Sequence, residues 1–459
     1  NKKNINIFYL FFIIGFIILL LEFFSTTFLI GILLKLVDKD TIIFENHYLN
    51  NLELFLKSLS LFQISLYTIA IFTLKNVLLL LFKYWQIKYS FEFQKNLSIS
   101  LLKKIFISDL LSFQRDNSAF KFRNIYTEVG WVRKLMTQVA DLVTECFIIV
   151  GIIGILVFYD PILVLISVTF FLSSIGIIYF AFYKKNQKWS EERIELSGNL
   201  ILNIIQSLNS VKEIKIFRKI KKTIDYFGKN YINYINNAVT HGVVKSASKP
   251  WIETCSIIFI FIIINFFLSQ VINEQEIFSK LGVFFICIVR IMPSILRIYN
   301  ITYTINFLKS SVSLIKKEIV NEEKYNLEVS KENISNNPIN IQKIEIKDLS
   351  YNYPASENSV IENLNFEFKK GKINTIIGSS GSGKTTLLNI ILGLIKVEKG
   401  SLTVNDKNFT NQKLYENLKI GYVPQNIFLF DDTIKNNICF NVNNDNAIDE
   451  KKLEIAVKD

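Results

Sequence analysis

Charge is scarce in this sequence. Only 20 % of its 459 residues are Asp, Glu, Lys or Arg, while 50 % are hydrophobic and 14 % aromatic, with 40 Phe among them. A water-soluble chain must keep enough polar surface to stay dissolved, so this balance excludes a purely soluble enzyme and a disordered chain alike. Cysteine is scarce too. Cys146, Cys255, Cys287 and Cys439 stand far apart, which excludes a disulfide scaffold and the short ligand spacings of a zinc site. Three of them lie in apolar stretches and read as small buried hydrophobes. There is no evident internal repeat and nothing collagen-like. The 52 Lys+Arg against 40 Asp+Glu leave a net charge of +12. In a soluble protein that excess would point to nucleic acid; in a membrane protein it is first a signal of topology, and no nucleic-acid partner is expected.

What the sequence has instead is long apolar runs. After Lys2 and Lys3, the stretch Ile5–Val37 is interrupted by charge only at Glu22 and Lys35. At about 1.5 Å per residue it reaches roughly 50 Å, too long for a signal peptide and longer than the ~30 Å hydrocarbon core. Five more candidate spans follow at Leu61–Trp85, Val139–Phe158, Ile162–Phe182, Trp251–Leu268 and Phe278–Tyr299, the third and fourth joined by a Tyr159-Asp160-Pro161 turn. Between the second and third spans, Gln86–Ala140 carries nine Lys/Arg against four acids and keeps a helical apolar period. The segment after the fourth span is likewise basic, with Lys184, Lys185, Lys188, Arg218, Lys219, Lys221 and Lys222. The positive-inside rule then places these segments and both termini in the cytoplasm, and a multi-pass location in the inner (plasma) membrane is expected. Between the first two spans, Leu49, Leu52, Phe55, Leu56 and Leu59 recur at helical spacing. They make either an amphipathic helix on the outer membrane surface or a loop helix packed on its own protein.

The texture changes after the sixth span. The expected domains are a six-helix membrane domain with helical extensions over 1–323, a polar linker over 324–342 containing Pro338, and a soluble α/β domain over 343–459. In that last part the β-prone run Ile373–Ile377 leads into Gly378-Ser379-Ser380-Gly381-Ser382-Gly383-Lys384-Thr385, followed by Thr386 and a helix-like stretch to Leu394. This is G-x-x-x-x-G-K-[ST] in the order strand, loop, helix. The glycines let backbone N–H groups turn inward around a phosphate, and the helix N-terminus adds positive potential. Lys384 then reaches the β- and γ-phosphates of ATP, and the Thr385 hydroxyl holds Mg²⁺.

Here the sequence resembles the ATP-binding domain of ABC transporters. Tyr351-Asn352-Tyr353-Pro354, with Tyr353 thirty-one positions before Lys384, is similar to the family's A-loop, which implies that Tyr353 stacks on adenine. Gly421-Tyr422-Val423-Pro424-Gln425, with Gln425 forty-one positions after Lys384, is similar to the Q-loop, which implies that Gln425 joins Thr385 at Mg²⁺. The fold expected is therefore an α-helical membrane domain of ABC exporter type followed by an α/β P-loop NTPase domain, incomplete at its C-terminus. The family's signature, Walker B carboxylates and switch His are expected beyond Asp459. On that reading no catalytic residue is present, and these residues alone bind nucleotide without hydrolysing it. The exporter resemblance further implies a second half-transporter, as a homodimer, and places coupling helices near Ser112–Arg123 and Asn209–Lys219.

Span six carries Arg290-Ile291-Met292-Pro293-Ser294-Ile295-Leu296-Arg297-Ile298. The two arginines fall on one helix face, with Pro293 expected to kink the helix between them. An intramembrane Arg faces a partner or a wet cavity. Either Arg290 and Arg297 bind substrate phosphate with their planar forks, or Arg290 pairs with Glu22, Glu145 or Glu253 while Arg297 reaches for the cytoplasmic interface. The string is similar to the matching helix of the PglK-type lipid-linked oligosaccharide flippases, and the Leu49–Leu59 stretch matches the position of their external helix. The function expected is ATP-driven translocation of a polyprenyl-pyrophosphate-linked oligosaccharide or similar lipid. The alternatives are export of another lipid, a peptide or a drug, and a membrane-anchored regulatory P-loop protein.

Overall fold

Each apolar run becomes the core of a helix that extends well beyond it. The computed structural model describes residues 2–37, 55–56, 58–108, 110–115, 117–159, 161–268, 274–329, 340–354, 358–395, 399–408, 420–425, 427–439 and 449–458. It divides into two compact units, Asn1–Ser330 and Lys331–Asp459.

The first unit is helical. Its long helices are α1 (Lys2–Val37), α2 (Leu61–Ile107), α5 (Val129–Tyr159), α6 (Pro161–Asn209), α8 (Ile220–Leu268) and α9 (Glu274–Val329). Short helices α3 (Leu110–Arg115), α4 (Ser118–Phe122) and α7 (Val211–Ile216) sit at the bends between them. All six long helices are apolar and long enough to cross a membrane. The ends have local causes. Ser60 caps α2 by accepting from Gln63 N while Gln63 Oε1 accepts from Ser60 N at 2.8 Å, a capping box. Pro161 opens α6, where its missing N–H costs nothing.

The core of this unit gathers Ile18 and Ile30 of α1, Ile148, Ile152 and Ile155 of α5, Phe171 of α6, Phe259 of α8, and Ile288 and Ile295 of α9. The ring of Phe259 lies 5.0 Å from Phe170 and 5.2 Å from Phe171. Outside it, large apolar side chains such as Phe62, Leu80 and Phe180 are exposed. That inversion suits a surface solvated by lipid rather than water. It also corrects one expectation: Cys146 is exposed, because an apolar helix residue in a bilayer can point outward at no cost, while Cys255 is buried.

Where the helices leave the apolar zone, polar groups join them. Asn186 of α6 donates to Tyr303 O at 2.8 Å, Ser190 donates to Phe307 O, and Asn306 of α9 donates to Tyr183 O at 3.0 Å. A π-helical turn at Arg123–Glu128 precedes α5 and ends on the buried Glu128. Arg193 forks onto both Glu128 oxygens at 3.1 and 3.0 Å and donates to Ser311 Oγ at 2.7 Å. One salt bridge thus joins the start of α5 to α6 and α9.

One sequence expectation needs adjustment. Helix α9 continues to Val329, past the expected boundary at 323, because Glu322–Val329 contains no helix breaker. Pro293 lies inside α9 without ending it. Most of the Leu49–Leu59 stretch lies outside the described residues. Short helices do stand at the two positions expected for coupling helices, α3 and α4 at the first and α7 at the second.

The second unit holds β1 (Lys343–Tyr351), β2 (Ile361–Lys369), β3 (Lys399–Val404) and β4 (Lys407–Asn408) in one antiparallel sheet of order β2-β1-β3-β4. In register, Ile346 of β1 faces Phe366 on one side and Leu402 on the other. Asn405 and Asp406 turn β3 into β4 with φ of 49° and 63°, the left-handed pair a two-residue hairpin needs. Helix α10 (Lys384–Ile391) follows the glycine-rich loop, and α11 (Ile434–Ile438) and α12 (Glu450–Lys458) complete the unit. The expected strand Ile373–Ile377 is not formed. Among the described residues no strand lies beside it to take its backbone groups, and Ile373 and Ile377 are 98 % and 89 % exposed.

Candidate nucleotide site and membrane charges

The loop Gly378–Gly383 is shaped by its glycines. Gly381 and Gly383 have φ of +82° and +84°, where a side chain would be strained, and a Cβ on Gly383 would meet Val360 at 3.0 Å. Gly383 caps α10, so the first N–H groups of that helix face the loop. Lys384 lies back along the same loop, donating to Gly378 O at 2.9 Å and Ser379 O at 2.6 Å. Ser379, Ser380, Ser382 and Thr385 are exposed to solvent. Backbone donors at a helix start, one ammonium and an open hydroxyl are the donor set that a nucleotide phosphate and its Mg²⁺ require, so the residues present fit both groups.

Tyr353 is brought to this loop. Its hydroxyl is hydrogen-bonded to Thr386 Oγ1 at 3.0 Å, and its ring meets Tyr351 edge-on at 5.3 Å. Thr386 itself is buried. The base-stacking candidate and the phosphate loop are therefore in direct contact, a link not visible from spacing. Gln425 is exposed, and among the described residues no hydrogen bond joins it to Thr385. Downstream, Asn437 holds the next turn by accepting from Phe430 N at 2.8 Å and donating to Phe430 O at 3.1 Å.

In the membrane unit each span-six arginine has a carboxylate. Arg290 donates to Glu22 Oε1 at 2.9 Å, and Lys75 of α2 donates to Glu22 Oε2 at 2.6 Å. The Glu22 side chain is 3 % exposed, and the Arg290 guanidinium also lies 4.1 Å over the Phe72 ring. Arg297 meets Glu145 at 2.6 Å, and its side chain is 54 % exposed. Of the readings left open by sequence, pairing with Glu22 is the one found for Arg290. Glu253 pairs instead with Lys249 at 3.9 Å. Lys75 went unnoticed in sequence, although a lysine within an apolar run is the signal that would have found it. Among α5, α6 and α9 an apolar pocket of about 130 Å³ is lined by Ile153, Leu156, Val164, Phe171, Ile291 and Ile295.

Fold and site together define a class: a six-helix membrane domain of ABC exporter type followed by a P-loop domain. Residues 361–458 match the family model described as ABC transporter. The ATP-dependent lipid A-core flippase of Wigglesworthia glossinidia brevipalpis is 27 % identical over 336 residues, covering 71 % of this chain and 55 % of that protein. The Lacticin-481/lactococcin-DR transport/processing ATP-binding protein of Lactococcus lactis subsp. lactis is 31 % identical over 293 residues, covering 57 % of this chain and 39 % of that protein. The chain thus spans about half or less of the curated relatives it matches. A bacterial Atm1-family ABC exporter solved with ATP bound shares the fold at a TM-score of 0.66 and 14 % identity, over 97 % of this chain and 76 % of that one.

Proposed function

We propose that this chain is part of an ATP-driven exporter half that moves an anionic lipid across the inner membrane, both termini lying in the cytoplasm. The observation that carries the reading is the pairing, in one polypeptide, of six membrane-length helices with a glycine loop whose Lys384, Thr385 and helix N-terminus suit ATP and Mg²⁺. The flippase names among its relatives and the apolar pocket, which suits an alkyl chain, support a lipid substrate. The finer assignment is a polyprenyl-pyrophosphate-linked oligosaccharide. Lys75 and Arg290 share one carboxylate, which leaves one positive charge for a phosphate, and half of Arg297 faces solvent. The bacteriocin-transport name among its relatives favours the second reading, export of a peptide.

Under this reading the membrane domain ends with α9 at Val329, the soluble domain begins near 343, and the pump works as a homodimer. Tyr353 stacks on the base, the 378–386 loop cradles the phosphates, and Thr385 with Gln425 hold Mg²⁺. When bound, the ion neutralises phosphate charge. The test is translocation of labelled lipids in proteoliposomes of the full-length polypeptide. ATP-dependent movement of a polyprenyl-pyrophosphate glycan, reduced at least tenfold in Arg290→Ala/Arg297→Ala, is expected. Movement of peptides but no lipid would favour the second reading and overturn the first.

A further inference from the structure

Each arginine of α9 touches a carboxylate; two lysines elsewhere in the unit touch none among the described residues. Lys134 of α5 and Lys245 of α8 are half-buried, and among the described residues no carboxylate is in ion-pair contact with either. The charges that act on them are positive, Arg133 on Lys134 and Lys134 on Lys245. Lys134, Lys245 and Arg193 all act on His241, one turn before Lys245 on α8. Of the nearby carboxylates, Glu128 gives both its oxygens to Arg193, and Glu192 of α6 accepts from Asn237, one turn before His241, and meets Lys188 at 3.8 Å. Two ammonium groups are left partly out of water with no counter-ion, an arrangement that favours binding of an anion.

The surroundings strengthen the pull. Phe307 of α9 is the common wall: the His241 ring lies 3.9 Å from it and Trp131 meets it edge-on at 6.3 Å. Lys134 Nζ stands 4.9 Å over the Trp131 ring. Against an apolar wall of low dielectric, the attraction between an ammonium and an oxyanion is several times its value in water. His241 Nε2 is buried with no hydrogen-bond partner among the described residues. A buried polar nitrogen without a hydrogen-bond partner is costly and therefore rare.

We infer that Lys134, Lys245 and His241 form an anion site at the base of the membrane domain, taking a phosphate or pyrophosphate group on two ammoniums and the imidazole. The group belongs either to a lipid headgroup or to a free phosphate compound; the oxyanion chemistry is common to both. The site lies just outside the apolar part of the helices, whereas Arg290 and Glu22 lie within it. The inference rests on the lipid-export reading only for the lipid arm of its test.

Trp131 supplies the readout. In a Lys384→Ala background, which removes the P-loop lysine, detergent-solubilised protein is titrated with inorganic pyrophosphate and with farnesyl pyrophosphate while tryptophan fluorescence is followed. Both should quench the signal, Trp131→Phe should abolish the change, and Lys134→Gln/Lys245→Gln should raise the half-saturating concentration at least tenfold. Lys134→Arg/Lys245→Arg should stay within threefold of the parent. Loss of both responses in the Gln pair supports the site, and parent binding of farnesyl pyrophosphate at least tenfold tighter than inorganic pyrophosphate assigns it to headgroups. Response to inorganic pyrophosphate alone keeps the site and assigns it to free phosphate. If the Gln pair does not fold, raising salt from 50 to 500 mM must weaken parent binding at least tenfold. No binding, binding insensitive to salt, or a Gln pair that binds like the parent overturns the site. Neither arm needs ATP hydrolysis or transport, so this result and that of the transport assay are independent.

Discussion

The two units hold their polar groups in opposite ways. In the membrane unit, charges are buried and shared between helices far apart in the chain: Glu128 with Arg193, and Glu22 with Lys75 and Arg290. In the ATP-binding unit, Lys384 is bonded to carbonyls of its own loop, five and six residues away, beside exposed hydroxyls. The first arrangement makes charge part of the fold, since a buried ion left alone must be desolvated without return. The second leaves the charge available to a ligand. Mutations should therefore divide cleanly, removing stability in one unit and binding in the other.

The largest effect is expected at Glu128, whose side chain is 0 % exposed. Glu128→Gln leaves Arg193 buried without a counter-ion, which should cost about 3–5 kcal/mol in unfolding of the solubilised protein. The double change Glu128→Leu/Arg193→Met should recover most of that loss, because apolar replacement of both partners is often neutral. A single mutant as stable as the parent would remove the distinction between the units. Lys384→Ala comes next and should leave the melting temperature unchanged. It should weaken ATP binding by about 1.5–3 kcal/mol, the worth of hydrogen bonds to a charged group, as read by nucleotide titration.

Glu22 sharpens the comparison within the membrane unit. Arg290→Gln removes one of two cations and leaves a neutral Lys75–Glu22 pair, so about 1–2 kcal/mol of stability should be lost. Glu22→Gln leaves two cations facing each other and should cost more. The reverse order, measured by thermal unfolding of both variants, would mean that Lys75 is not held by Glu22.

Sequence made the helices and the nucleotide loop plain for a physical reason. An apolar run needs no partner to be recognised, and G-x-x-x-x-G-K-[ST] encodes a local backbone shape. The same logic explains what stayed hidden. The pairings Arg290–Glu22 and Arg297–Glu145 join helices far apart in the chain, so the sequence offered three carboxylates for Arg290 without choosing among them and none for Arg297. Ile373–Ile377 looked like a strand because strand propensity is local, whereas a strand exists only beside another. Lys134 and Lys245 gave no signal in a segment already rich in lysine; they stand out only once the carboxylates are seen to be spent elsewhere.

The smallest effect should come from Tyr353, and it tests whether the nucleotide unit is as local as its loop implies. The hydroxyl contributes one neutral hydrogen bond, to Thr386 at 3.0 Å, worth about 0.5–1.5 kcal/mol, while the ring is the surface a base would stack on. Tyr353→Phe keeps the ring and frees the buried Thr386 hydroxyl, so ATP affinity should change by no more than about threefold. Tyr353→Ala removes the ring and should weaken ATP by about 1–3 kcal/mol, with a smaller loss for inorganic triphosphate, which has no base to stack. Equal losses for ATP and triphosphate in Tyr353→Ala would show that the residue supports the loop through Thr386 rather than reading the base. The contact between Tyr353 and the loop would then be structural, as the buried charges of the membrane unit are.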